Sequence, residues 1–403
     1  MPTRAWACAW IAAAVLATPC TGAAQDRTER DVVDLILRDG PQARAIRAET
    51  EVVRREQLAR LAYPNPDVTY SREGAGFTEF LQVEQLLPVS GTRAALSRAG
   101  VAATAAAEAE RDARLWALRA DAASAVARLA ATQARLDAAQ AYARDVERLV
   151  DILRVREREG EGSRFDRLRA AQELGDARLF ATSAAVGLVH ARAAVTAMLP
   201  RDEAIGRITP AADPLLAPEP VPALMTRAAS TRAELRALRR SAERADLEAR
   251  AARRARLPAP TLFGGLKRAD GGSGRDRGGV FGVSVSLPIF DAGGREAARW
   301  AAERTRVEAE RRSIEAQVHS EITRAFESLA LRQAALSEDV EAAGDELMRI
   351  AEVAYREGEM GILELLDAVR TASRARTRTI DVRLDARLAQ IALERAAGDV
   401  LWP

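Results

Sequence analysis

The sequence predicts a mainly α protein with a small β part, built as two similar halves of one architecture. Three observations carry this. A motif recurs, with Arg158-Glu159-Gly160-Glu161 before Phe165, Asp166 and Leu168 returning as Arg356-Glu357-Gly358-Glu359 before Leu363, Glu364 and Leu366. Upstream, Pro64 and Pro66 correspond to Pro258 and Pro260, and Leu87-Pro88 to Leu287-Pro288, at nearly the same offset of roughly 200 residues, too long for a solenoid repeat. Each copy also sets two short alternating segments ahead of a very long proline-free stretch rich in Ala, Leu, Glu and Arg, a composition of long helices.

The chain divides accordingly into 1–24, a first repeat over 25–210 and a second over 211–403. Residues 1–24 follow the plan of a secretory signal peptide: Arg4, an apolar run from Ala5 to Ala17, and small residues Gly22-Ala23-Ala24 before polar Gln25 and Asp26. Cys20 offers an alternative lipidation site, which the preceding Pro19 disfavours. Both cysteines, Cys8 and Cys20, lie in this leader, so the processed chain is expected to have no disulfide or Cys-based chemistry. Beyond it no stretch reads as the ~18 apolar residues of a membrane-spanning helix.

In the first repeat, helical spacing of Val33, Leu35, Ile36, Ala43 and Ile46 predicts one helix from Asp31 to about Leu61, which Pro64 and Pro66 end. Two strands follow within 66–87, from Val68 to about Arg72 and from Phe77 to Leu87, where Leu81 and Val83 alternate with Gln82 and Glu84. From Thr92 to Arg158 only Gly100 interrupts, allowing one helix of roughly 67 residues, about 100 Å long. Along it Leu115, Leu118, Ala122, Ala125, Leu129, Thr132, Leu136, Ala139, Ala143, Val146, Val150 and Leu153 alternate spacings of three and four, a heptad seam for closely packed helices. Gly160 and Gly162 break it, and Ser163 with Asp166 resembles a capping box opening a return helix to Leu199.

The second repeat begins with a linker holding Pro210, Pro214, Pro218, Pro220 and Pro222, then a helix to about Arg256. Strands are expected within 260–289, from Thr261 to Lys267 and from Val280 to Leu287, joined by a loop holding Gly271, Gly272, Gly274, Gly278 and Gly279. Helix resumes from Gly294 to Arg356, turns at Gly358 and Gly361, and returns to Val400. The short helices before each strand pair are expected to stack end to end on the short return helices.

Composition narrows the function. Aromatics make up only 4% of 403 residues, and 60 basic residues against 58 acidic ones leave a formal charge of +2. Because these charges are interspersed, no basic stripe for nucleic acid forms. No catalytic motif occurs in a usable context, no cofactor fingerprint is present, and His190 and His319 stand on separate helices without a partner ligand, so neither enzyme chemistry, cofactor nor metal site is expected.

Amphipathic strands with no core beside them must face lipid or close on others. Four are too few for a barrel, but three copies supply twelve, so a homotrimer with a 12-stranded transmembrane β-barrel is the expected assembly, its long hairpins forming a helical barrel. Tyr70, Phe77, Phe80, Phe263, Phe281 and Phe290 are placed to form its aromatic girdles. Trp116, Trp300 and Trp402 read as packing residues.

Asn65-Pro66, Gln85-Leu86-Leu87-Pro88 with Gly91 and Arg93, Leu287-Pro288-Ile289-Phe290 with Gly293 and Arg295, and Tyr355-Arg356-Glu357-Gly358-Glu359 running into 363–368 together resemble the TolC-like outer-membrane efflux protein family (outer membrane factors). The resemblance covers essentially all of the chain after residue 24. The stretch Leu87 to Arg93 is more similar to the CzcC-like metal-efflux branch than to the drug-efflux branch. The family resemblance implies a passive channel in the outer membrane of a Gram-negative bacterium, with a periplasmic helical barrel, docking by its hairpin tips onto a periplasmic adaptor (membrane fusion protein) and an inner-membrane RND-type pump. On that reading the docking residues are Gly160, Glu161, Gly162, Ser163 and Phe165 in one tip and Gly358, Glu359, Met360, Gly361, Ile362 and Leu363 in the other, with Met360 and Ile362 as exposed apolar knobs. Arg158, Glu364 and Asp367 are the candidates for the tunnel gate. The same tips read otherwise as turn chemistry with a hydrophobic staple, and the charges as a solvated helix face. Competing functions are the duct of a type I protein-secretion system and a periplasmic coiled-coil adaptor.

Overall fold

The computed structural model of the chain describes residues 25–74, 78–89, 91–211, 219–270, 274–336 and 340–402. The expected leader with both cysteines, and Gly76, Phe77, Pro214, Pro218, Gly271 and Gly272, lie outside the described residues.

In chain order the elements are β1 (Gln25–Thr28), α1 (Glu29–Asp39), α2 (Pro41–Arg60), β2 (Asp67–Glu73), β3 (Thr78–Leu86) and α3 (Thr92–Glu159). There follow α4 (Arg164–Thr196), β4 (Ile205–Thr209), α5 (Val221–Thr231), α6 (Ala233–Arg253), β5 (Pro260–Asp270) and β6 (Arg275–Val285). The chain ends with α7 (Gly294–Leu336), α8 (Val340–Arg356) and α9 (Ile362–Ala397).

The 68-residue α3 is the axis of the fold, about 100 Å long. It opens after Gly91 and closes at Gly160, at φ 75° and 80°, a left-handed region that glycine enters without cost. Every position of its heptad seam is buried or half-buried. Toward its start Ala95 and Ala99 pack against Ala251 of α6, and Ala113 against Ala233 and Ala237. Toward its end Val146, Val150 and Leu153 pack against Ala170, Leu174 and Ala177 of α4 and against Leu365, Leu366 and Val369 of α9. The alanines let neighbouring backbones approach closely, as a two-helix seam requires. α6 and α4 thus occupy successive stretches of one long partner.

The structure departs from the sequence expectation in four places. The first helix is two helices, because Pro41 has no N–H to continue α1 and Gly40 turns to extended φ and ψ. The helix after the linker is likewise divided, at Arg232, into α5 and α6. A separate two-stranded parallel sheet pairs β1 with β4, Gln25 opposite Ile205 and Thr28 opposite Thr209. Gln133 of α3 pins it, accepting from Ile208 N at 3.0 Å and donating to Gly206 O at 3.3 Å. Finally, α4 does contain an 18-residue window long and apolar enough to cross a membrane, with 6% of that window buried within the chain. Leu179, Phe180, Val186 and Val189 stand exposed on it.

The other four strands form one antiparallel sheet in the order β2-β3-β5-β6, leaving β2 and β6 as open edges. Its register sorts side chains by face. Val68, Val83, Gly264 and Phe281 align in one row, Tyr70, Leu81 and Leu266 in the next, and Leu262 opposes Val283 on the same side. All of the large residues in this set are exposed, Phe281 to 91%. The opposite face carries Thr69, Ser71, Gln82, Glu84, Lys267 and Ser284, with Phe80 under Lys267 and the Phe263 ring over Gly282. Of the aromatic residues expected to form a girdle, therefore, only Tyr70 and Phe281 lie on the apolar face among the described residues. Phe80 and Phe263 point the other way, and Phe290 is beyond the end of β6.

Candidate functional site: the hairpin tips

The two hairpins, α3 with α4 and α8 with α9, turn at one end of the molecule, opposite the sheet. Their turns are built alike. In the first, Glu161 N donates to Arg156 O at 2.9 Å and Gly160 N to Glu157 O at 3.2 Å; in the second, Glu359 N donates to Ala354 O at 2.9 Å and Gly358 N to Tyr355 O at 3.2 Å. This pair of bonds closes a helix around a left-handed glycine, and Gly160 and Gly358 sit at φ 80° and 79°. Gly162 sits in a tight spot, because a Cβ there would lie 3.0 Å from Arg156 Cβ and 3.1 Å from backbone, so its neighbours would have to shift by a few tenths of an ångström.

The return helices start differently. Ser163 Oγ accepts from Phe165 N at 3.1 Å, so Ser163 is a simple N-cap rather than the expected box with Asp166. At the corresponding place Gly361 caps with backbone alone, and the Glu364 carboxylate folds back to fill the space a Cβ at Gly361 would need.

The expected exposed knobs are corrected by burial. Ile362 is only 5% exposed, and Met360 is half-buried against the same cluster, because the α8/α9 turn folds onto Leu365 and Val369. The exposed apolar residues are Phe165 (64%) and Leu363 (51%), one on each tip at matching positions. Arg158, Glu161, Glu359, Glu364 and Asp367 are exposed, and none of them forms an ion pair among the described residues. The gate candidates Arg158, Glu364 and Asp367 thus make no ion pair with one another within one chain, although Glu364 and Asp367 are one turn apart on α9.

What does join the hairpins was not legible from local pattern. Glu173 of α4 accepts from Arg370 of α9 through both carboxylate oxygens and also from the Tyr142 hydroxyl of α3. The carboxylate is buried, with a side-chain exposure of 10%. Burial alone would raise the Glu173 carboxyl, but hydrogen bonds from Arg370 and Tyr142 and the Arg370 charge hold it below the usual carboxylate range. Burial and the adjoining carboxylate push the Tyr142 hydroxyl up. Nearer the tip Arg156 lies 5.5 Å over the Tyr355 ring, a second link between hairpins, while an Arg167–Glu157 ion pair ties the arms of the first.

The arrangement thus sets long helical hairpins at one end and an open four-stranded sheet with one apolar face at the other. Residues 224–399 match the family described as outer membrane efflux protein. Among solved structures the chain is similar to a membrane protein from Pseudomonas aeruginosa, with 23% identity over 93% of this chain and 94% of that one and a TM-score of 0.74. It is also similar to the open state of the MtrE outer membrane channel of Neisseria gonorrhoeae, with 20% identity over 93% and 89% of the two chains and a TM-score of 0.73. The outer membrane protein VceC of Vibrio cholerae matches at 20% identity over 92% and 96%, with a TM-score of 0.69. No curated protein matches the chain. The fold is therefore that of TolC-like outer-membrane channels, and the family match supports an outer-membrane location with the helices extending into the periplasm.

Proposed function

We propose that the protein is the outer-membrane channel-tunnel component of a tripartite efflux system, conducting substrate passively from a periplasmic adaptor and an inner-membrane RND-type pump to the exterior. One observation carries the reading: a four-stranded sheet with an exposed apolar face, a polar face and two unpaired edges. Such a sheet is unstable alone in water or lipid and becomes satisfied when its edges pair and its apolar face meets hydrocarbon. Three copies give twelve strands, an apolar exterior and a polar lumen. The exposed apolar face of α4 is then covered by a neighbouring protomer.

In this reading the tips dock the adaptor, with Phe165 and Leu363 as the apolar contacts and Gly160, Glu161, Gly162, Ser163, Gly358, Glu359 and Gly361 shaping the turns. Arg158, Glu364 and Asp367 meet their counterparts across the trimer axis. Driving energy comes from the pump, and opening requires the hairpins to part. Heavy-metal cations are taken as cargo on the resemblance at residues 87–93 alone.

A type I secretion duct would share the same fold, and the gene neighbourhood separates the two: an adaptor beside an RND-type pump, or an ABC exporter beside a secreted substrate. An adaptor fits less well, because two hairpins each follow a pair of strands. The test is deletion of the gene followed by measurement of metal tolerance and of radiolabelled divalent-metal export. Loss of both, restored by the intact gene, is expected; unchanged tolerance and export with loss of a secreted protein would favour the secretion duct.

A further inference from the structure

The helix-side end of the sheet is chemically unlike the rest of the chain. Asp67, Leu86, Pro260 and Val285 define that end by their register, and the chain runs from it directly into α3, out of α6 and into α7. In segments 87–98, 253–259 and 286–295 there are six arginines, Arg93, Arg98, Arg253, Arg254, Arg256 and Arg295, against one acid, Asp291, with Asp67 and Glu84 in the adjoining strands and Glu296, paired to Arg299, opening α7. Across the whole chain basic and acidic residues balance at 60 to 58. Asp291 is occupied in accepting from Gly293 N at 3.0 Å. None of the six arginines has an ion pair among the described residues, and five of them are exposed. Arg93, half-buried over the Tyr63 ring at 5.4 Å, has its Nη1 buried without a hydrogen-bond partner.

The opposite end of the sheet shows what a balanced end looks like. There Arg268 faces Glu79 at 3.9 Å and Arg275 faces Asp270 at 3.4 Å, with Glu73 and Asp276 close by in the strands. The imbalance is confined to the helix side. Beside the arginines, Leu287, Ile289 and Phe290 are exposed to 67%, 76% and 99%. Exposed apolar side chains next to unpaired guanidinium groups, at the rim of an apolar strand face, match a membrane interface. There the apolar groups enter the acyl boundary and the arginines reach the phosphates.

We infer that this belt binds anionic phospholipid headgroups of the inner, periplasm-facing leaflet. The inference rests on the outer-membrane reading above and adds to it a lipid preference. Guanidinium suits phosphate because it offers paired donors in a planar fork, and clustered basic residues beside a bilayer favour anionic over zwitterionic lipid.

The test uses the full-length protein in vesicles of phosphatidylethanolamine mixed with phosphatidylglycerol, measuring the lipids retained when it is extracted, with channel conductance recorded from the same vesicles. Phosphatidylglycerol should be enriched over its share of the vesicle, and the enrichment should fall with added salt. A triple Arg253→Gln, Arg254→Gln, Arg256→Gln variant should lose about fivefold in that preference for each arginine removed. The matching triple Lys variant should keep most of it, and Arg275→Gln with Arg277→Gln at the far end should leave it unchanged. Retention in proportion to the vesicle composition, or undiminished enrichment in the triple Gln variant, would overturn the inference. Conductance separates the two readings: a protein that conducts without enrichment refutes the lipid belt alone, and one that neither inserts nor conducts refutes the membrane reading with it.

Discussion

Glu173 and Arg370 form a two-pronged ion pair between return helices that lie 197 residues apart in sequence, with the Tyr142 hydroxyl donating to the same carboxylate. It is the buried polar link between the first hairpin and the second near the tips, so it couples any parting of the hairpins to exposure of a carboxylate.

Arg370→Ala would leave Glu173 buried without its counter-charge, which costs more than losing the pair whole. Because Arg370 is 37% exposed, the expected loss is about 2 kcal/mol rather than the full value for a sealed pair. Tyr142→Phe removes one neutral donor and should cost about 1 kcal/mol. Thermal unfolding of the purified protein measures both; equal, negligible shifts would show that the link carries no stability.

The same carboxylate sets a pH dependence. Its folded-state value lies below the usual carboxylate range, so its stabilisation is present above that range and is lost as pH falls through the folded value. Hairpin parting, read as proteolysis near residues 156–167, should rise in acid, and Glu173→Gln should flatten the profile. Glu394 works in the other sense. Burial raises its carboxyl while the N–H groups of Leu401 and Trp402 donate to it, so its contribution is present in acid and fades as pH rises, and Glu394→Gln should leave the acid-side loss intact.

Gly160 and Gly358 hold matching left-handed turns. Alanine at either should cost about 1–2 kcal/mol, and alanine at Gly162 should add a clash with Arg156. Local hydrogen exchange at the turns is the measure, and unaltered protection in Gly358→Ala would contradict the geometry.

Phe165→Ser with Leu363→Ser removes the exposed apolar side chains of both tips while leaving Ile362 and its cluster untouched. If the tips dock an adaptor as proposed, crosslinking to it and export should both fall, by about tenfold for each ~1.4 kcal/mol of docking energy lost, with outer-membrane levels unchanged. Full export would place docking elsewhere.

Much of the fold was legible because glycine and proline punctuate it. The bounds of α3 were readable from Gly91 and Gly160, and its seam from large residues alternating with alanine. β5 and β6 ran longer than expected because Gly278 and Gly279, read as loop, pair with Lys267 and Leu266 in the sheet. The β1–β4 sheet had no alternation to reveal it and depends on Gln133, a residue on α3. At the tips the turn residues were readable but their exposure was not. Whether Met360 and Ile362 face solvent depends on how α9 packs against α3, a long-range outcome. The Glu173–Arg370 pair was hidden for the same reason, since one carboxylate among many on an amphipathic helix carries no local mark.

The central claim is that the chain forms a conducting channel. Single-channel recording in planar bilayers, with protein extracted from outer membranes, tests it most directly. Discrete, uniform conductance steps are predicted; protein recovered as a soluble periplasmic species that yields no steps would contradict the account.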